Sequence, residues 1–153
     1  MSRLTVRPVT EENWLAALAL TVHAEQQRFT ATVEQSLARA YIQPAGYNYE
    51  PMAIYVGRTM VGFYAFVHRS ADYSHCILNG LLIDREHQGQ GYGRRFLEHF
   101  VADMRRRAYQ ELLLTVHPQN KIALYLYQRL GFRATGRSFD GEAELRLPLV
   151  DDR

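Results

Sequence analysis

The stretch Leu81-Leu82-Ile83-Asp84-Arg85-Glu86-His87-Gln88-Gly89-Gln90-Gly91-Tyr92-Gly93 constrains the fold of this chain more than any other. An apolar strand ends at Asp84, a glycine-rich loop follows, and Phe96, Leu97, Phe100, Val101 and Met104 then recur at helical spacing in the run from Arg94 to Arg107. Strand, loop and helix in that order place three glycines where the backbone can curl and bring N–H groups close to a ligand. The positive end of the helix dipole points at the same spot, so the segment predicts an anion site.

Two familiar phosphate loops are excluded by their own patterns. A P-loop carries Lys and Ser or Thr after its last glycine, whereas Gly93 is followed by Arg94 and Arg95; the dinucleotide fingerprint needs G-x-G-x-x-G. What remains, Q-x-x-G-x-G from Gln88 to Gly93 at a strand-to-helix turn, resembles the acetyl-coenzyme A pyrophosphate loop of the GNAT N-acetyltransferases. Taken alone, the loop is equally well read as a turn and a helix start.

The rest of the chain extends the resemblance. Asn120-Lys121-Ile122-Ala123-Leu124-Tyr125-Leu126-Tyr127-Gln128-Arg129-Leu130-Gly131-Phe132 is similar to a second GNAT signature, N-x-x-A-x-x-x-Y-x-x-x-G-F, one helix and one strand after the first. Within the superfamily the chain most resembles the bacterial spermine/spermidine (diamine) N-acetyltransferases, on Arg7-Pro8-Val9-Thr10-Glu11-Glu12-Asn13-Trp14, Glu25-Gln26 and the Ile83–Gly93 segment. It departs from them where Ile77, Asn79 and Gly80 replace a tryptophan and an Asp-Arg pair, which bears on the acceptor and not on acetyl-CoA.

At 153 residues the chain reads as one domain, 1–153, long enough for a sizeable core. Leu4 and Val6 form a first strand, with Pro8 at its end. Thr10 caps a helix running to about His23, with Trp14, Leu15, Leu18 and Val22 on its inner face, and Glu25–Phe29 is a polar link to a second helix from Thr32 to Gln43. Pro44 to Pro51 is expected to be irregular. Met52–Val56, the Gly57-Arg58 turn and Met60–His68 make a hairpin, and Cys76–Ile83 reads as a central strand with a bulge or close approach at Asn79-Gly80. After the Arg94–Arg107 helix come a strand at Glu111–Val116, the Asn120-capped helix ended by Gly131, and a hairpin of Phe132–Phe139 and Glu142–Leu149 around Asp140-Gly141. The order β-α-α-β-β-β-α-β-α-β-β gives an α/β (α+β) fold: a GNAT-like, mixed, mostly antiparallel central sheet of about seven strands flanked by about four helices.

Composition limits the alternatives. A net charge of +2 gives no reason to invoke nucleic acid, and Arg105-Arg106-Arg107 ends a helix, where cations complement the dipole. One cysteine, Cys76, forms no internal disulfide and fits a reducing, cytoplasmic setting; no apolar run reaches the length of a membrane span, and Met1–Val6 lacks a signal-peptide core. The six histidines are scattered, with no spacing that supports a metal.

The resemblance implies acetyl-CoA as co-substrate and transfer to the primary amine of a small molecule, a polyamine such as spermidine or spermine, by direct attack in a ternary complex. It assigns Gln88, Gly89, Gln90, Gly91, Tyr92, Gly93 and Arg94 (or Arg95) to the pyrophosphate, Leu82 and Ile83 to the pantetheine arm, Asn120 to the cofactor, and Tyr127 as general acid. A helix cap explains Asn120 equally well, and Tyr127 is one of ten tyrosines. The base stays open among Glu25, Glu34, Glu50, Asp72 and Asp84. Other amines, a non-catalytic acetyl-CoA sensor and homodimerisation remain compatible with the family.

Overall fold

A computed structural model describes residues 2–150; the outer ends of the expected 1–153 span, Met1 and residues 151–153, lie outside them. Seven strands form one sheet in the order β1-β2-β3-β4-β5-β7-β6. The strands are β1 (Leu4–Pro8), β2 (Asn48–Val56), β3 (Thr59–Arg69), β4 (Asp72–Ile83), β5 (Glu111–Val116), β6 (Arg133–Phe139) and β7 (Glu142–Pro148). Four α-helices accompany them: α1 (Trp14–Leu18), α2 (Val33–Ile42), α3 (Tyr92–Arg106) and α4 (Lys121–Arg129). All neighbouring strands run antiparallel except β4 and β5. The expected mixed, mostly antiparallel sheet with four helices is what the chain adopts. Among the described residues no helix is long and apolar enough to cross a membrane.

One face of the sheet packs on α3, whose Phe96, Leu97, Phe100, Val101 and Met104 are all buried against Ile54, Phe66, Leu78, Leu112, Leu114 and Leu145. That is the helical stripe the spacing predicts. On the other face Ala17 of α1 and Val33 of α2 bury Phe63 and Leu82.

Strand β4 belongs to both cores because it changes phase. Its pairs with β3 run Phe66↔Leu78 and Ala65↔Asn79, then Phe63↔Leu82, so Gly80 and Leu81 together oppose Tyr64 alone. Gly80 takes a left-handed φ of 62°, which a side chain resists, and a Cβ there would stand 2.9 Å from Ser36 Oγ. Of the two expectations for Asn79-Gly80, a bulge or a close backbone approach, the bulge holds, and what comes close is the Ser36 side chain and not another backbone. Before the bulge Cys76 and Leu78 face α3; after it Leu81 and Ile83 do, while Leu82 turns to α1 and α2.

Three local expectations give way. The first helix does not run from Thr10 to His23: α1 is five residues long and starts after Asn13, whose Oδ1 accepts from the Thr10 N–H. Trp14 and Leu15, expected inside, are exposed, and Ala17 is the buried residue. The Glu25–Phe29 link lies within a 3-10 helix, Ala24–Phe29. Pro44–Pro51 is irregular only in its first half, since β2 begins at Asn48 and runs through Pro51. Strand β1 has already ended at the Pro8↔Met52 pair, so no β1 residue needs the N–H that Pro51 lacks, and the Pro51 carbonyl accepts from Val9.

Candidate functional site

The loop between β4 and α3 is clamped from below. Asp84 accepts hydrogen bonds from the N–H groups of Thr21 (3.0 Å) and Glu86 (3.4 Å), and the Gln88 amide donates to the Ile83 carbonyl (2.9 Å). Gln26 and Gln88 exchange a reciprocal pair of amide hydrogen bonds at 2.9 and 3.1 Å. Gln88 thus spends its side chain on holding the turn closed.

Above that clamp the main chain is open. Gly89 and Gly91 take φ of 78° and 80°, and a Cβ on either would meet nothing within 4 Å, so conformation and not crowding requires glycine. Gly91 caps α3 without any side-chain hydrogen bond. The first N–H groups of a 15-residue helix are left for another acceptor, as an anion site needs. Arg94 and Arg95 differ sharply. Arg94 is exposed beside the loop, paired with Glu98 one turn on, whereas Arg95 donates to the Ser2 carbonyl at 2.8 Å and lies over Tyr92.

A cleft begins where β4 and β5 part. Only Cys76↔Leu112 and Ile77↔Leu113 pair between them, and from Leu78 onward β4 follows β3 alone. Of the two residues expected to meet an extended arm, Leu82 directs its carbonyl at β3, where a Cβ on Gly62 would come within 2.5 Å of it. Main-chain alternation then turns Leu81 and Ile83 to the open side. Their carbonyls are held by Thr30 Oγ1 (3.3 Å) and by Gln88.

Helix α4 closes the cleft. Asn120 caps it, accepting from the Ala123 N–H at 3.4 Å. A Cβ on Gly93 would lie 3.9 Å from both Ile83 Cγ1 and Leu126 Cδ2, so the first turn of α3, the end of β4 and α4 converge. One residue past Leu126, Tyr127 is 9% exposed, its ring 5.5 Å from that of Phe132, and its hydroxyl makes no hydrogen bond among the described residues. Burial, and after it the Glu142 charge, push the phenol up to about 12. It is neutral at any physiological pH and can donate a proton.

The carboxylates singled out as bases have local partners or local tasks. Asp84 caps the turn, Glu50 pairs with His68 at 3.1 Å, and Asp72 is half-buried, its carboxyl lowered chiefly by hydrogen bonds from Ser74. Glu25 and Glu34 stand exposed in the first turns of their helices. Sequence reasoning passed over Glu142 and Glu144 on β7. Thr115 Oγ1 on β5 donates to Glu142 at 3.0 Å, and Thr135 Oγ1 on β6 donates to Glu144 at 2.9 Å. The signal was the alternation of Glu142, Glu144 and Arg146 with Ala143, Leu145 and Leu147, which puts the charges on one face.

Known proteins carry the same architecture. The spermine/spermidine N(1)-acetyltransferase of Bacillus subtilis strain 168 is 28% identical over 145 residues, covering 91% of this chain and 94% of its own. The spermidine N-acetyltransferase of Vibrio cholerae, solved with CoA and spermine, superposes with a TM-score of 0.72 at 15% identity over 95% of both chains. A protein from Salmonella typhimurium, solved with its cofactor acetyl-CoA, does so with a TM-score of 0.67 at 20% identity over 99% of this chain and 97% of its own. Residues 12–132, from the turn before α1 to the end of the second signature, match the acetyltransferase (GNAT) family, and the chain belongs to that family.

Proposed function

We propose that this acetyltransferase moves an acetyl group from acetyl-CoA to a primary amine of a small polyamine, of the spermidine or spermine type, by direct attack with both substrates bound. The observation that carries the reading is the convergence at Gly93. It brings a helix start with unclaimed N–H groups, a stretch of β4 with no strand on its β5 side and the helix bearing Tyr127 to one cleft. The polyamine assignment draws its support from the Bacillus subtilis relative, which matches nearly the whole chain.

Fit to the co-substrate follows from the same residues. The curl from Gly89 to Gly93 has room for a diphosphate against main-chain N–H groups, with the exposed Arg94 at its rim and Gln88 bracing it from beneath. Beyond Ile77, β4 presents main chain to an amide-bearing arm, chiefly at Leu81 and Ile83 with Leu82 between them. Asn120 fixes the start of α4 and so the height of Tyr127 in the cleft. Bound acetyl-CoA would supply an acetyl thioester whose departing thiolate needs stabilisation. The Tyr127 phenol, kept neutral by burial, donates to it as charge develops.

Thiol release from acetyl-CoA, measured across spermine, spermidine, a peptide with an N-terminal alanine, free amino acids and an aminoglycoside, tests this directly. A polyamine should give the highest kcat/KM. Turnover confined to a different amine rejects the acceptor, and failure to take up acetyl-CoA in a calorimetric titration rejects the whole reading. Binding without any turnover would instead mark a sensor.

A further inference from the structure

We infer that Glu142 receives the ammonium group of the acceptor and takes its proton, with the Thr115 hydroxyl holding the carboxylate in place. The inference deepens the amine-acetylating reading and rests on it.

Three observations place Glu142. First, β4 and β5 part after Ile77↔Leu113, so Thr115, two residues on along β5, stands beside the gap with no β4 neighbour. Second, Thr115 is registered with Glu144 on β7, and Glu142 is two residues along the same face, its carboxylate 3.0 Å from Thr115 Oγ1. Third, Glu142 is the charged side chain whose field adds to burial in raising the Tyr127 phenol. The Glu142 charge is thus felt at the phenol, and Thr115 holds the carboxylate on the strand that borders the gap.

Four other carboxylates already have cationic partners. Glu111 pairs with Arg146, Asp103 with Arg106 and Arg107, Glu98 with Arg94, and Glu144 is 8% exposed under Thr135 and Arg137. Glu142 accepts from one hydroxyl and pairs with no cation among the described residues. An ammonium group is the partner such a carboxylate lacks. Four further ionisable groups share this corner. They are His117, just past the end of β5, Tyr127 on α4, Glu144 on the same strand and Arg137 on β6. His117 is turned aside, its Nδ1 accepting from the Gln119 N–H at 3.1 Å and its ring 5.1 Å from that of Phe29.

An alkylammonium of pKa about 10.4 must lose a proton before it can attack, and this step is where Glu142 acts. The nitrogen gives its first proton to the carboxylate, and its lone pair forms the C–N bond to the acetyl carbon while the C–S bond breaks. The sulfur takes the Tyr127 proton, the phenol recovers one from the nitrogen, and Glu142 releases its own to solvent. Two protons leave the ammonium, one ending on the thiol and one in water, so the step balances.

The test uses the full chain as wild type, Glu142→Gln, Thr115→Val, Thr115→Ser and His117→Gln. It follows acetyl-CoA affinity, spermidine affinity for the CoA complex, and kcat/KM from pH 6 to about 10, near the ammonium pKa. Glu142→Gln should lower kcat/KM at pH 7 on the order of 100-fold and weaken spermidine binding, with acetyl-CoA affinity unchanged. Its deficit should shrink as pH approaches the ammonium pKa and free amine becomes abundant. Thr115→Val should lose roughly tenfold and Thr115→Ser, which keeps the donor, recover most of that. Wild-type kcat/KM and amine affinity in Glu142→Gln would overturn the inference, as would a loss confined to His117→Gln. Should the wild type bind acetyl-CoA yet acetylate no amine, the functional reading fails by itself. The inference is then decided by spermidine binding, and absent or Glu142-independent binding sinks it.

Discussion

The two halves of the sheet are built differently. In β1–β4, neighbouring strands pair along most of their length, nine residue pairs joining β2 to β3, and both faces are covered, by α3 below and by α1 and α2 above. In β5–β7 one face shares the α3 core while the other carries Thr115, Glu142, Glu144 and Arg146, and every residue of β6 is exposed. Two parallel pairs join the halves. A sheet that stayed zipped there would bury its main chain in its own ladder, so the cleft exists because the seam is short. A closely paired, covered half beside an open polar one is the contrast on which the proposed function rests.

Stability should be distributed accordingly, and the largest contrast tests this. Phe63 is fully buried in the covered half, so Phe63→Ala should lower unfolding free energy by about 3–5 kcal/mol, whereas Phe139→Ala on the exposed β6 should change it by less than about 0.5 kcal/mol. Urea denaturation reads both, and equal losses would erase the distinction between the halves. Next in size is the seam itself. Tyr127→Phe should cut turnover on the order of 100-fold while leaving acetyl-CoA affinity within about twofold, because the ring and its contact with Phe132 remain.

The same tyrosine makes a pH prediction. An ordinary phenol titrates near ~10, while Tyr127 in the fold is held at about 12 by burial first and Glu142 second. Between those values the unfolded chain has shed a proton that the folded chain keeps, so stability is full below about pH 10 and falls as pH rises towards 12. The loss attributable to Tyr127 is about 2–3 kcal/mol, and Tyr127→Phe should flatten that part of the slope in denaturation curves at pH 9.5 and 11.5. Tyr64, also raised mainly by burial, contributes a slope of the same sign that the variant leaves in place. A smaller gain is expected in the covered half. The Ser36 hydroxyl is buried without a partner against the Gly80 bulge, so Ser36→Ala should stabilise by up to about 1 kcal/mol in the same assay.

Legibility followed the physics of each segment. Helix α3 was readable because five apolar residues at helical spacing meet one flat core, and α4 because Asn120 and Gly131 mark its ends. The short α1 was not: Trp14 and Leu15 repeat like an inner face, yet Asn13 uses its side chain to fold the preceding turn and delays the helix. Pro51 misled because whether a proline tolerates a strand depends on where the neighbouring strand stops, which no local pattern records. In the candidate site the loop and Tyr127 came from motifs within single segments. Glu142 is brought to Thr115 by pairing across strands 27 residues apart, and the parting of β4 from β5 has no sequence signal at all.

The extra residue at Gly80 carries a last consequence. Because it swaps which side chains of β4 look up and which look down, everything from Leu81 to the start of α3 is set half a step out of phase with Cys76 and Leu78. Removing that one residue would not shorten the strand so much as turn its end over, presenting Leu82 where Ile83 belongs and aiming the glycine loop away from α4. A single deletion there would leave the protein with an intact trunk and its business end upside down.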